Sequence, residues 1–363
     1  MSARGDIASV NLRGLGVGNT LLLINGRRIN SRDALTSSYG NDFDLSSIPM
    51  AAVERIEVIR GAISSLYGAD AMGGVVNVIL REPKKTTEGA LEYTFNEPTT
   101  GQGGDLHDGS AYLGGSLIDD KLLANIVVDQ KHKDAWKSEQ SNNKNADASE
   151  KQDKRSVLST LKWLLDDKQA ITFDSSFTSD DRTAHWNNYG ATATNIQEMD
   201  RMTLGLAHNG HWDGTDTQLR YFYEDIDLMD NSQLNGAIAE VQQQNHTLDG
   251  QLTHQLGNHL LTTGAEVRQT RLEHSMNLTA GTAQIDQQAA YLQDEYQLGD
   301  LTLTLSGRLD HHETYGSEFS PRGYALYSLT DRWVIKGGVG KAFKAPTLAQ
   351  SDEHYAINSC RGR

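Results

Sequence analysis

Cationic and aromatic side chains recur together at three places in the sequence. These are Arg32 and Tyr39 within Asn30 to Phe43, then His132, Lys133, Trp136 and Lys137, then Arg182, His185, Trp186 and Tyr189. In polar surroundings such groups suit a flat aromatic anion, held by charge pairing, stacking and cation–π contact. The competing reading of any one of them is an ordinary solvated loop. Covalent chemistry has less footing. Gly14-x-Gly16-x-Gly18 lacks both the Lys-Ser/Thr of a phosphate loop and the spacing of a dinucleotide fingerprint. The 12 histidines never form HExxH, and His311-His312 would point to opposite faces of a strand. No nucleophile, base and orienting group stand in a recognisable arrangement, so an enzyme is not expected.

Composition narrows the classes further. A formal net charge of -15 disfavours nucleic acid, whose phosphates are bound by clustered Lys and Arg. With one cysteine, Cys360, neither a disulfide scaffold nor a multi-thiolate zinc site can form within these residues. The mean hydropathy is -0.54, and apolar runs such as Leu21 to Ile24 and Val75 to Leu80 fall far short of a membrane-crossing helix. If this protein crosses a membrane, it must do so with strands. The opening MSARGDIASVNLRGLG is not an export signal, which implies either a cytoplasmic protein or a longer natural chain.

The elements that would position these groups change character near Pro83. Before it, VNLRGLG, TLLLINGRRI, AAVERIEVIRG and GGVVNVIL read as short strands with one short helix around Ala62 to Tyr67. From Glu88 onward, stretches of about ten residues alternate apolar and polar, as strands do between two environments. Leu301, Leu303, Leu305 and Leu309 share one face, and Thr302, Thr304, Ser306, Arg308 and Asp310 the other. There are about 13 such segments. Tight turns are expected at Asp119-Asp120, Asp166-Asp167, Asp213 to Asp216, Gly257-Asn258, Gly299-Asp300 and Thr330-Asp331. Long polar connections are expected between them, at 97–108, 132–154, 180–199, 228–243, 271–284 and 313–319. Strictly alternating short and long connections fit an up-and-down transmembrane barrel, with Trp163, Trp212 and Trp333 as an interfacial belt near the short turns. A soluble β-sandwich or propeller is the alternative.

Residues 1–82 also resemble the second half of the plug domain of TonB-dependent receptors. The likeness rests on VNLRGLG at Val10 to Gly16, TLLLINGRRI at Thr20 to Ile29, and IPMAAVERIEVIRGAISSLYGADAMGGVVNVI at Ile48 to Ile79. KGGVGKAFKAPTLAQ, Lys336 to Gln350, resembles a barrel motif of the same family, chiefly its catecholate siderophore receptors, including colicin receptors. The fold implied is mainly β: a transmembrane antiparallel β-barrel with a small α+β plug. Its division would be the C-terminal part of a plug at 1–82 and the N-terminal part of a barrel at 83–363. Because such barrels close with roughly 22 strands, the resemblance leads us to expect a fragment of both parts, lacking the TonB-coupling segment. Cys360 would then pair with a cysteine further on.

The resemblance implies energy-coupled uptake of a ferric siderophore at the outer membrane of a Gram-negative bacterium. The iron arrives as the siderophore complex, with no resident cofactor or metal. Partners would be the TonB-ExbB-ExbD complex, outer-membrane lipid and lipopolysaccharide, around a monomeric barrel. Arg13 and Arg60, in two RG motifs, would latch plug to barrel through Glu295 or Asp294. Glu54 and Arg55 read as fold maintenance. A haem receptor, for which His185 and His274 are candidate axial ligands, and a cobalamin receptor are alternatives within the family. A non-transporting β-rich binding module or a non-functional receptor fragment is the alternative outside it.

Overall fold

The computed structural model describes residues 10–12, 14–15, 17–29, 48–61, 63–139, 146–188, 191–231 and 238–356. Arg13, Arg32, Tyr39, Tyr189 and Cys360 lie outside the described residues, as does the side chain of Trp186. Two sheets dominate. The smaller comprises β1 (Thr20–Ile24), β2 (Arg27–Arg28), β3 (Val53–Arg60) and β4 (Gly74–Leu80), in the order β2-β1-β4-β3. It is the plug. β1 runs parallel to β4 and is buried on both faces, so Leu21 and Leu23 pack with Ile63 and Val75 while Leu22 packs with Ile29, Ile48 and Val76. The continuous apolar runs of TLLLI and GVVNVIL follow from that double burial. The expected helix forms over Ser64–Tyr67, but Val10–Leu12 is not a strand.

The larger sheet is the wall. It begins with β5 (Glu88–Asn96), β7 (Leu106–Ile118), β8 (Leu122–Lys133) and β10 (Lys151–Leu164), between which lie the two-residue strands β6 (Gln102–Gly103) and β9 (Trp136–Lys137). It continues with β11 (Gln169–Asn188), β12 (Ala191–Trp212), β13 (Thr215–Asp230), β14 (Ala239–Leu256) and β15 (His259–His274). It ends with β16 (Thr282–Leu298), β17 (Leu301–His312), β18 (Gly316–Thr330) and β19 (Trp333–Gly340). These make a 13-stranded antiparallel sheet in sequence order, with β5 and β19 at its edges among the described residues; β6 and β9 pair separately.

The six expected short turns all join neighbouring wall strands. The long connections need correction. β11 and β12 stay paired up to Asn188 with Ala191, so 180–199 is nearly all strand, and 228–243, 271–284 and 313–319 likewise shorten to brief links. Alternation identifies a strand only where one face meets hydrocarbon. Beyond that band both faces can be polar while the backbone ladder continues.

Register organises the two faces. Leu161, Phe173, Leu206, Tyr221, Leu248 and Val267 stand opposite one another on six successive strands and are all exposed. An apolar row this long in contact with solvent would be an aggregation surface; facing lipid, it is a membrane belt. Trp163, Trp212 and Trp333 share that outward face beside the short turns, Trp333 at 72% exposure. At the same level the inward face carries Thr160, Asp174, Gly205, Phe222, Thr247 and Arg268. Leu305, 66% exposed between Leu303 and Leu309, lies near mid-belt. Leu305→Arg is expected to cost about 2–4 kcal/mol of membrane folding stability. Folding into lipid vesicles, followed by heat-modifiable gel mobility, would measure it; a change below about 1 kcal/mol would place Leu305 off the belt.

Candidate functional site between plug and wall

The plug meets the wall along its inward face through charges and hydrogen bonds, and the first contact is built by the β1–β2 turn. Asn25 and Gly26 hold φ of 50° and 72°, the left-handed pair that a two-residue hairpin requires. The turn is pinned to β4, since Asn77 Oδ1 accepts from the Gly26 N–H at 2.9 Å and Asn25 Oδ1 from the Leu80 N–H at 2.8 Å. Arg27 is thereby aimed at the wall, where its Nη2 donates to Asp174 Oδ2 at 2.6 Å. Opposite Asp174 on β12 is Gly205. A Cβ there would stand 2.2 Å from Arg27 Nη1, so the guanidinium needs that bare backbone. Phe222 completes the recess, its ring centroid 5.7 Å from the Arg27 carbon. Next to it Arg220 donates to Asn25 O at 3.3 Å and pairs with Asp249 at 2.7 Å.

A second contact forms where the helix Ser64–Tyr67 approaches β16 to β18. Ser306 Oγ donates to Ser65 Oγ at 2.9 Å, and Arg308 Nη1 donates to Leu66 O at 3.2 Å. Arg308 is 3% exposed and is held by Asp310 at 2.9 Å and Glu266 at 3.3 Å. Within the plug, Arg28 pairs with Asp70 at 3.0 Å and donates to the carbonyls of Tyr67 and Ala69. Burial, with Arg268 nearby, lowers Arg28 to about 10, which leaves it charged at neutral pH. A third contact is mixed: Lys162 pairs with Glu82 at 2.6 Å, while Ala51 and Ala52 pack on Tyr112 and Val127. Two bodies joined mainly by exchangeable polar contacts can part without exposing a large apolar surface.

The candidate latch residues occupy other places. Arg60 ends β3 exposed, without an ion pair among the described residues. Glu295 faces inward and forms no ion pair among the described residues. Asp294, one residue away, faces outward and bonds His259 at 2.9 Å. Exposed Glu54 and Arg55 pair with each other.

The ligand candidates divide in the same way. Arg182 is buried, its guanidinium taken up by Asp180 at 2.6 Å and Glu150 at 2.9 Å. His185 is half-exposed against Asp147 at 2.9 Å. Trp136 donates to Thr100 O at 2.8 Å, and Lys137 beside it is half-buried where β9 pairs with β6. Trp186 lies on β11 opposite Ala193. His274 is buried; the N–H groups of Met276 and Asn277 point at its Nδ1, and Asn277 Nδ2 approaches its Nε2 at 3.1 Å, so neither ring nitrogen is open to a haem. Above the plug the inward face turns apolar around Ile226, Leu228, Val241 and Leu272, against which Leu278 and Leu348 pack.

Sequence reasoning missed Arg27, Asp174, Gly205, Arg220, Glu266 and the role of Arg308. The usable signal was the Arg-Arg pair of INGRRI together with charges at inward positions of alternating strands.

Residues 135–358 match the family described as TonB dependent receptor-like, beta-barrel, and residues 1–75 match the TonB-dependent Receptor Plug Domain. The iron-regulated outer membrane virulence protein of Vibrio cholerae is 30% identical over 95% of this chain and 53% of its own length. The ferric enterobactin receptor PirA of Pseudomonas aeruginosa is 26% identical over 98% of this chain and 55% of its own. The crystal structure of the siderophore receptor PirA from Pseudomonas aeruginosa superposes with a TM-score of 0.79 at 25% identity, covering 95% of this chain and 58% of that one. The chain thus spans about half the length of the curated relatives it matches.

Proposed function

Because this chain belongs to the TonB-dependent receptor family, we propose that it serves the uptake of a ferric catecholate siderophore across the outer membrane. The observation that carries the reading is a plug seated on the inward face of a lipid-facing wall by ionic and hydrogen-bonded contacts. Such a joint holds at rest and yields to a pull on the plug, the work expected of TonB with ExbB and ExbD. The relatives named as ferric enterobactin receptors favour a catecholate over haem or cobalamin. No covalent step is involved: the iron complex is cargo, bound at the mouth and released below. The wall contacts outer-membrane lipid and lipopolysaccharide through its apolar rows, as a single barrel.

The test is accumulation of 55Fe-enterobactin by iron-starved cells in which this gene is the sole source of a siderophore receptor. Uptake is expected to exceed that of the gene-deleted strain at least tenfold and to collapse when the proton gradient is dissipated. Binding without energy-dependent uptake, or a preference for cobalamin offered at equal concentration, would refute the assignment.

A further inference from the structure

Two cavities lie in series along the seam between the plug and strands β10 to β13. The lower, of about 300 Å³, reaches the wall at the level of Lys162, Thr172, Asn209 and Gln218, toward the short turns. The upper, of about 100 Å³, reaches it at the level of Ser176, Thr178, Thr203 and Glu224, toward the long hairpins. Both are lined by Asn25, Arg27, Leu80, Thr160 and Asp174. The boundary they share thus holds the Arg27–Asp174 ion pair, 2.6 Å long, with Asn25, Leu80 and Thr160 beside it. Of the five cations that line the lower cavity, Arg27 pairs with Asp174, Lys162 with Glu82, Arg220 with Asp249 and Arg55 with Glu54, which leaves Arg81 without an ion pair among the described residues. Arg27 Nε is buried there without a partner, and its guanidinium keeps its place only because residue 205 has no side chain.

The geometry points to a specific route for the cargo: the β10–β13 seam, with the Arg27–Asp174 pair as its gate and the β1–β2 hairpin as the part that moves aside. The assignment rests on the transport reading above and adds to it a place and a gate. As the hairpin leaves, Arg27 parts from Asp174 and the two cavities become continuous. On the other seam, by contrast, Arg308 holds the helix Ser64–Tyr67 through Leu66 O and is itself held by Glu266 and Asp310.

The test uses the receptor as its gene encodes it, purified and placed in planar lipid bilayers, with chloride salts of small cations as the permeating probe. Arg27→Ala and Asp174→Ala should each raise the frequency of conducting openings at least tenfold. The charge-exchanged double variant Arg27→Asp with Asp174→Arg should return it to within twofold of the unaltered protein. Ser306→Ala, which cuts a plug–wall bond on the other seam, should raise it less than twofold. If either alanine variant fails to fold, Arg27→Lys, which keeps the charge and loses the forked geometry, should give an intermediate rise. Silent alanine or lysine variants, or an equal rise in Ser306→Ala, would overturn the gate. Uptake of 55Fe-enterobactin by the unaltered receptor is measured in parallel: its absence would sink the siderophore reading, while the bilayer currents still decide the gate.

Discussion

Arg308→Ala is expected to unseat the helical side of the plug, at a cost of about 3–5 kcal/mol to the folded plug–wall unit. The guanidinium satisfies two carboxylates, Glu266 and Asp310, and one plug carbonyl, Leu66 O, and it lies 5.7 Å from the Tyr291 ring centroid. Asp310 Oδ2 is already buried without a partner. Truncation would leave both carboxylates facing a joint from which water is largely excluded, and an uncompensated buried charge is what makes breaking such a pair expensive. Calorimetry of the purified receptor should show the plug transition moving down while the wall transition stays. Limited proteolysis should then cut the plug first. Arg308→Ala combined with Glu266→Gln and Asp310→Asn should recover part of the loss. A single variant as stable as the parent would mean that water already compensates those carboxylates.

Gly74→Ala should damage the plug sheet itself, by about 3–5 kcal/mol as the sum of a strained backbone and an overpacked contact. Gly74 opens β4, lies between Thr20 and Arg60, and holds φ of 140°. A Cβ there would come within 2.2 Å of Ile59 O and 2.9 Å of Leu12 Cδ1. The neighbouring turn residue Gly61, with φ of 113° and nothing within 4 Å of its Cβ position, separates the two effects. Gly61→Ala should show the backbone cost alone, about 1–3 kcal/mol. Hydrogen exchange across β1, β3 and β4 would report both. Equal protection in the two variants would exclude the steric argument.

How far these contacts could be read from sequence depends on the range of the interaction. Leu301 to Asp310 announces its two faces because alternation is local, so the strand count and the short turns were legible. Parity alone could have separated Asp294, on the face of Leu292, from inward Glu295. Height along the lumen could not be read in this way. That Arg27 reaches Asp174, 147 residues away, depends on strand tilt, hairpin geometry and a glycine on a third strand. The strands beyond the belt were missed for a related reason: Thr183, His185, Thr194 and Ile196 have no hydrocarbon on one side to impose a pattern, yet their backbones remain paired.

The β11–β12 hairpin has a further consequence. Its strands of 20 and 22 residues extend for about 65 Å at roughly 3.3 Å per residue, well beyond an apolar band about 25 Å tall. An unbroken ladder from Gln169 with Gly210 up to Asn188 with Ala191 fixes every rung before the tip is reached. Insertions or deletions between those last two residues therefore change the length of a stiff arm without displacing a rung in the membrane. What the arm reaches for can therefore be altered at its far end while the paired strands within the membrane keep their register.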